Sequence, residues 1–564
     1  MPVLNWIGKS SVVKHHKDVP YRLLEPVPAL SCEAPDGSDT GNLIIQGDNL
    51  DALKALLPRY AGQVKCVYID PPYNTGNEGW AYNDNVNSPE IRRWLGDVVG
   101  KEGETLDRHD RWLCMMYPRL VLLRQLLRKD GVMFISIDDN EIHHLRSIAD
   151  QIGGLVFVGC IVWERKRKGS HLSKKLTKKT EYIVVLGSSS NDIELVGENV
   201  GKDEDFPLVK RTNSVKELRI PALHIGPTKL PDGTYPRGRY GRGGTAVELL
   251  AEASVKDGQF TSDVHLKGPF VWTQTNLDDE LEKGGKCFLR TKNMSLRAVK
   301  ATANQGQKGL SSLLTKEFGT NEDASSELAT ILGVDLNSVF QYSKPTKLIQ
   351  TLVRAATFTD KQAIVLDSFA GSGTTGHAVL KQNAEDGGAR RFVLVEMDAN
   401  IARNVTAERI GRVARGYTDT REQHVEGLGG GFQFCELSKE PLFTPDGQIR
   451  EDVCFSDLAE FVWFVETGSG RLRSTRHEGR SPLLGIANGK AIFLLYNGIL
   501  GDRSDVGGNV LNSRTLEILR EEAGDFDGPW VVYAARTRFD PVRLGQLRID
   551  FKLLPYRLKE MSWA

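Results

Sequence analysis

Two stretches of this chain alternate short apolar runs with helix-period segments, and a long stretch that does neither lies between them. In the first, Leu43-Ile44-Ile45 reads as a strand, Leu50–Leu57 as a helix ended by Pro58, and Val64–Ile69 as a strand. Trp112–Arg128 has helical periodicity, with Pro118 expected to kink it or to sit in its first turn. Strands are expected at Val132–Ile137, Val156–Trp163 and Glu181–Leu186. In the second stretch, Lys347–Ala355 is a helix, Ala363–Leu366 a strand, Gly376–Leu380 the opening of a helix, Phe392–Glu396 a strand and Ile401–Arg412 a helix. Strands alternating with helices imply an α/β fold with a parallel, doubly wound sheet.

The expected organisation is an N-terminal arm (1–41), a first α/β half (42–187), an insert (188–338), a second half (339–426) and a small α+β domain (427–564) after a glycine tract. A chain of 564 residues exceeds one core and has the apolar content, 40%, to build several. Its 73 basic and 73 acidic residues cancel, so any basic surface for a polyanion must be local. The seven cysteines are scattered without a C-x-x-C pair, which argues against a disulfide framework or a zinc site. With no apolar h-region and no run long enough to span a bilayer, a cytoplasmic location and no membrane partner are expected.

Two loops carry chemistry. Asp367-Ser368-Phe369-Ala370-Gly371-Ser372-Gly373-Thr374-Thr375-Gly376 follows a strand and opens a helix, and Glu396 ends the next strand. This is G-x-G-x-x-G, a close backbone approach to a ligand with a carboxylate placed for a ribose diol. By itself it does not separate a nicotinamide site from one for S-adenosylmethionine. The second loop, Asp70-Pro71-Pro72-Tyr73, follows the strand Val64–Ile69. Its two prolines remove two donors and fix two φ angles. Asp70 and the Pro71 carbonyl are then rigid acceptors for an amino group, and Tyr73 offers a ring for stacking. An exocyclic amine is a poor nucleophile, and acceptors on its hydrogens favour a pyramidal nitrogen with its lone pair aimed at a donor. A nicotinamide oxidoreductase leaves this second loop unexplained.

With the Asp-Pro-Pro-Tyr half first, the insert next and the glycine loop last, the chain resembles β-class amino-methyltransferases of DNA. Within them it resembles the modification (Mod) subunits of type III restriction-modification systems. Gln46-Gly47-Asp48-Asn49-Leu50, Tyr73-Asn74-Thr75-Gly76, Phe134–Glu141 and Lys344-Pro345-Thr346-Lys347-Leu348 carry the closer likeness, which covers about 42–187 and 340–415. The resemblance implies the doubly wound, mixed α/β sheet of S-adenosylmethionine-dependent methyltransferases, with a target-recognition domain as the insert. It implies Asp70, Pro71, Pro72 and Tyr73 around the target base. It places Phe369, Gly371, Gly373, Asp367 and Thr374 about the cofactor S-adenosylmethionine, Glu396 on its ribose, Lys344 and Thr346 at its methionyl end, and Asp70 at the border of that site.

The acidic D-P-P-Y form implies adenine N6, with cytosine N4 as the alternative. A non-catalytic DNA-recognition subunit is a further alternative. The partners implied are double-stranded DNA, a second copy of the chain, and a helicase-nuclease. A base inside a duplex is out of reach, so it must be flipped. DNA contacts are expected from Arg165, Lys166, Arg167 and Lys168, and from the insert's Arg237, Arg239, Arg242, Arg290, Lys292 and Arg297. Asp138-Asp139 reads as a helix start, His109, His143, His144 and His377 as structural, and no metal is expected. The long polar segment Asn74–Asp110 reads as a binding loop or lid.

Overall fold

The computed structural model describes residues 3–34, 37, 40–74, 108–168, 176–188, 193–199, 205–300, 307–336, 340, 343–419, 421–471 and 481–554. Most of the long polar segment, 75–107, lies outside them. The chain divides into two compact units, one of Met1–Leu195 with Ser311–Ala564 and one of Val196–Leu310.

The larger unit is built on ten strands: β1 (Arg22–Pro26), β2 (Leu43–Gln46), β3 (Val64–Ile69), β4 (Leu127–Ile137), β5 (Val156–Glu164), β6 (Thr180–Gly187), β7 (Leu313–Leu314), β8 (Ile364–Asp367), β9 (Arg391–Glu396) and β10 (Gln433–Pro441). They lie in the order β1-β10-β2-β9-β8-β3-β4-β6-β5-β7. From β10 to β4 every pairing is parallel, whereas β1 with β10, β4 with β6, and β6 with β5 are antiparallel. Central strands of such a sheet are covered on both faces and read as unbroken apolar runs. β3 is buried at all six positions and β8 at all four. The one charge in β3, Lys65, reaches past the strand end to the Asp130 carboxylate at 2.9 Å.

The pairing of β8 with β3, Leu366 opposite Val67, joins the two halves of the sequence at the centre of the sheet. Both strands point the same way. Asp70 therefore leaves β3 at the same edge of the sheet at which Asp367 ends β8. This is the crevice at the carboxyl ends of the strands, where open α/β sheets bind ligands.

The expected boundaries shift at three places. The stretch 1–41 supplies a strand as well as irregular chain: β1 packs on the sheet, with Arg22 paired to Asp51 at 2.9 Å. β10 lies beyond the glycine tract yet runs beside β2, so the sheet extends past residue 427. The compact insert spans Val196–Leu310, narrower than 188–338. Residues 321–332 form a helix of the larger unit, capped by Thr320 and Asp323 in a capping box and closed by Gly333 in the left-handed region. That start and stop are present in the sequence but fall in a stretch of weak periodicity. Helix boundaries also move. The helix Asn49–Tyr60 carries Pro58 in its last turn instead of ending there, and Pro118 lies mid-way along the helix Arg108–Leu126.

The insert, taken by itself, is a set of small antiparallel sheets around one core that includes Leu218, Leu266, Phe270, Leu289 and Leu296. Its two ends, Val196–Asn199 and Gln307–Gly309, pair with each other. After β10, the helix Phe455–Thr467 precedes a four-stranded sheet of Leu483–Ala487, Lys490–Leu494, Trp530–Ala534 and Ile549–Leu553, with an apolar cluster on each face. Among the described residues no helix is long and apolar enough to cross a membrane.

Leu366 is fully buried where the two halves meet. Leu366→Ala is expected to cost about 2–5 kcal/mol, read as a lower urea midpoint, because close neighbours on both faces cannot refill the space.

Candidate active site

The glycine loop is shaped by its own backbone. Gly371 and Gly373 have φ of 50° and 75°, left-handed values that a side chain disfavours. A Cβ on Gly376 would meet Ile410 Cδ1 at 2.9 Å and Leu394 Cδ1 at 3.0 Å, so its absence lets the helix Thr374–Asp386 close on β9. The Asp367 carboxylate braces the loop from below, accepting from the Phe369 N–H at 2.9 Å and the Thr375 hydroxyl at 2.5 Å. Burial pushes its pKa up to about 7. Glu396 braces it from the side, accepting from the Gly371 and Asp398 N–H groups at 2.8 and 2.9 Å. The helix expected over Ile401–Arg412 contains a π-turn, Ala402–Ala407, from which the Thr406 hydroxyl donates to the Gly371 carbonyl at 2.6 Å.

Beside this loop is a cavity lined by Asn49, Pro72, Phe369, Glu396, Asp398 and Ile401, among others. It combines an aromatic face and apolar walls with two carboxylates. Ser368 Oγ, buried next to it, has no hydrogen-bond partner among the described residues. Apolar surface with a few fixed acceptors suits a nucleoside. Asn49 ties the wall together, donating to the Ser368 carbonyl at 3.0 Å and accepting from Arg119 Nε at 2.5 Å.

The Asp-Pro-Pro-Tyr turn is anchored at Asp70, Pro72 and Tyr73. Trp112 Nε1 donates to the Pro72 carbonyl at 2.6 Å. The Tyr73 hydroxyl donates to Asp70 Oδ1 at 2.7 Å, and burial beside Asp70 and Glu181 holds the phenol well above its ordinary pKa, so it remains a donor. Lys344 Nζ donates to Asp70 Oδ2 at 2.5 Å and lies 5.2 Å from the centre of the Tyr73 ring. Asn74 follows with φ of 56° and donates its amide to the buried Glu141. Glu141 also takes His109 Nδ1 at 2.7 Å and His144 Nδ1 at 2.8 Å. These three side chains offer metal-ligand atoms within 4.8 Å of one another. Their N–O separations are those of hydrogen bonds, shorter than the about 3.3 Å between neighbouring ligands of a tetrahedral zinc.

The structure brings Asp70, Pro72, Tyr73, Lys344, Phe369, Gly371 and Glu396 to one crevice. Three of the expected cofactor residues turn inward instead. Asp367 spends both oxygens on the loop, as above. The Thr346 hydroxyl bonds Glu327 at 2.6 Å, and that of Thr374 accepts from the buried Arg409 at 2.9 Å. Arg409 ties the glycine loop to the Lys344-Pro345-Thr346 segment, also reaching Thr346 at 2.9 Å. Of the basic residues, Arg165 points to Glu181 at 2.6 Å and Arg167 to Asp323 at 2.6 Å. Arg290 and Arg297 both bind Asp205, at 2.5 and 2.7 Å. Arg237, Arg239 and Arg242 are exposed and pair with no acid among the described residues. Sequence reading overlooked Glu181, Arg409, Glu141, Asn49 and Trp112. Asn49 and Glu141 stood inside quoted motifs, but a lone Arg or Glu in a helix or strand carries no signal of its own.

The model of the N6/N4 DNA methylase family, described as DNA methylase, matches residues 64–408, from the first residue of β3 to the helix that carries Arg409. The chain belongs to the DNA methylase family. The chain is 31% identical over 430 residues to the type III restriction-modification enzyme StyLTI Mod subunit of Salmonella typhimurium, a match covering 72% of this chain and 60% of that one. To the EcoPI Mod subunit of Escherichia phage P1 it is 30% identical over 443 residues, covering 72% and 65%. To the type II methyltransferase M.KpnI of Klebsiella pneumoniae it is 27% identical over 413 residues, covering 69% and 91%. The chain thus spans less than two thirds of the length of the two Mod subunits.

The raised pKa of Asp367 has a measurable consequence. Below about pH 4 the carboxyl is protonated folded and unfolded alike. From there to about pH 7 the unfolded chain ionises while the fold keeps its proton, so this group's contribution to stability falls as pH rises. Asp367→Asn is expected to remove that slope, at most about 1.4 kcal/mol per pH unit, in urea midpoints measured from pH 4.5 to 7. An unaltered slope would mean that Asp367 ionises at its ordinary value.

Proposed function

We propose that this methylase is a site-specific adenine-N6 methyltransferase of duplex DNA that uses S-adenosylmethionine, acting in the cytoplasm as the modification component of a restriction-modification system. The observation that carries the reading is the juxtaposition of Asp70-Pro71-Pro72-Tyr73 with the glycine loop across the β3–β8 pairing. A nicotinamide site accounts for the loop but not for a rigid acceptor turn set against it.

When bound, S-adenosylmethionine supplies a methyl group on a positively charged sulfur. Phe369 and Ile401 would flank its base, Glu396 would accept from its ribose hydroxyls, and the Gly371–Gly373 backbone would lie along it. Asp70 and the Pro71 carbonyl would accept the hydrogens of the target amine, tipping the nitrogen lone pair toward the methyl group. With its φ angles fixed by the prolines and its flanks tied by Trp112 and Asn74, the turn needs no reorganisation as the amine arrives. The reacting base must leave the duplex to reach this crevice, and the Tyr73 ring supports stacking on it. The exposed Arg237, Arg239 and Arg242 of the insert are the arginines best placed to meet DNA, because none is committed to a carboxylate. Likeness to Mod subunits favours a second copy of the chain and a helicase-nuclease as partners.

Purified protein is expected to transfer labelled methyl groups from S-adenosylmethionine to duplex DNA, with N6-methyladenine as the product in digested DNA. Asp70→Ala is expected to abolish transfer while the protein stays folded, with a lowered thermal midpoint because the Lys344 ammonium loses its partner. N4-methylcytosine as product would reassign the base, and full activity of Asp70→Ala would sink the mechanism. Gly371→Asp is expected to weaken S-adenosylmethionine binding in calorimetry at least tenfold, because it adds a side chain and a negative charge at a left-handed position facing Glu396.

A further inference from the structure

Both oxygens of Asp70 are occupied: Oδ1 by the Tyr73 hydroxyl at 2.7 Å and Oδ2 by the Lys344 ammonium at 2.5 Å. Each oxygen keeps lone-pair capacity, but the Lys344 ammonium fills the position at Oδ2 that a target amine would take, and the amine gains that position only when the ammonium moves off it. Tyr73 is bound to the same turn, so its hydroxyl travels with Asp70. Lys344 comes from the far side of the crevice, on the segment before the helix Thr346–Thr357. Its side chain is only 10% exposed, so an ammonium pushed off Asp70 has little water to go to. An unpaired buried charge costs several kcal/mol. Displacement therefore requires a second acceptor within reach.

Glu181 supplies one. It stands on β6, fully inside the crevice, with Oε2 3.9 Å from Lys344 Nζ. Its other oxygen, Oε1, is held by Arg165 at 2.6 Å, which fixes the carboxylate in place. Among the described residues, Oε2 receives one hydrogen bond, the long contact of the Tyr73 hydroxyl at 3.4 Å, and has lone-pair capacity left. Asp70, Glu181, Lys344 and Arg165 form two acids and two bases, so the ammonium can change carboxylates without altering the net charge of the crevice. A shift of about 1 Å in Nζ converts the 3.9 Å separation into a hydrogen bond.

We propose that Glu181 is a positioning residue that takes over the Lys344 ammonium when the target amine occupies Asp70. This rests on the amino-methyl transfer reading above. In the absence of DNA, Lys344 sits on Asp70 in place of the substrate amine. When the base enters, the ammonium moves to Glu181 and leaves Asp70 as an acceptor. Glu181 acts through Lys344 and touches no reacting atom.

The test is steady-state methylation of duplex DNA by the full chain at saturating S-adenosylmethionine. Glu181→Gln keeps the size of the side chain and removes its charge. It is expected to lower kcat about tenfold or more with KM for DNA within about twofold, because the loss falls after DNA has bound. A fall in DNA or cofactor affinity at unchanged kcat would overturn the proposal, as would a wild-type kcat. Lys344→Met and Glu181→Gln/Lys344→Met complete the cycle. The two are expected to have equal kcat, since without the ammonium the carboxylate has nothing to receive. A further tenfold loss in the double variant would overturn the proposal, and this comparison stands even if Glu181→Gln alone folds poorly. Failure of the wild-type chain to methylate DNA would count against the functional reading itself, not against Glu181 alone.

Discussion

The parallel pairing of β3 with β8 is the constraint on which the rest depends. Two segments about 300 residues apart are locked side by side at the centre of a sheet whose faces are both covered. Two loops that mean little apart then open on one crevice. The acceptor turn and the glycine loop each need a rigid base, and both have the same one. Parallel pairs cannot be closed by a tight turn, so a long connection between these strands is obligatory. The chain uses that connection to carry helices, further strands and an entire insert.

Around this pairing the crevice is stabilised by buried polar contacts that reach between sequence segments. Arg409 joins Thr346 to Thr374, Asn49 joins Arg119 to the Ser368 carbonyl, and Glu141 gathers Asn74, His109 and His144. Such groups are stable when every member is satisfied and costly when one is lost. They make the shape of the crevice depend on residues far apart in the sequence.

The fold class and most of the crevice were legible in the sequence. The apolar runs at Val64–Ile69, interrupted once by Lys65, and at Ile364–Leu366, each ending in a loop of unusual composition, give the parallel sheet and its functional edge together. Less legible was whatever depends on partners distant in sequence. β1 and β10 are ordinary short strands whose place follows only from each other and from β2. Thr346 and Thr374 have the right sequence context for ligand contact, but Arg409 and Glu327 claim their hydroxyls. Arg165 looks like part of a basic loop until Glu181 is placed opposite it. Side chains commit to long-range partners through tertiary geometry, which residue spacing does not encode.

The insert begins and ends in strands that pair with each other, Val196–Asn199 with Gln307–Gly309. A module whose entry and exit are zipped together is attached by a two-strand stem. Changing the length or sequence between the stems alters the loop-closure entropy only slowly and leaves the register of the stem intact. Such a joint lets the surface of the insert change while the large sheet keeps its register.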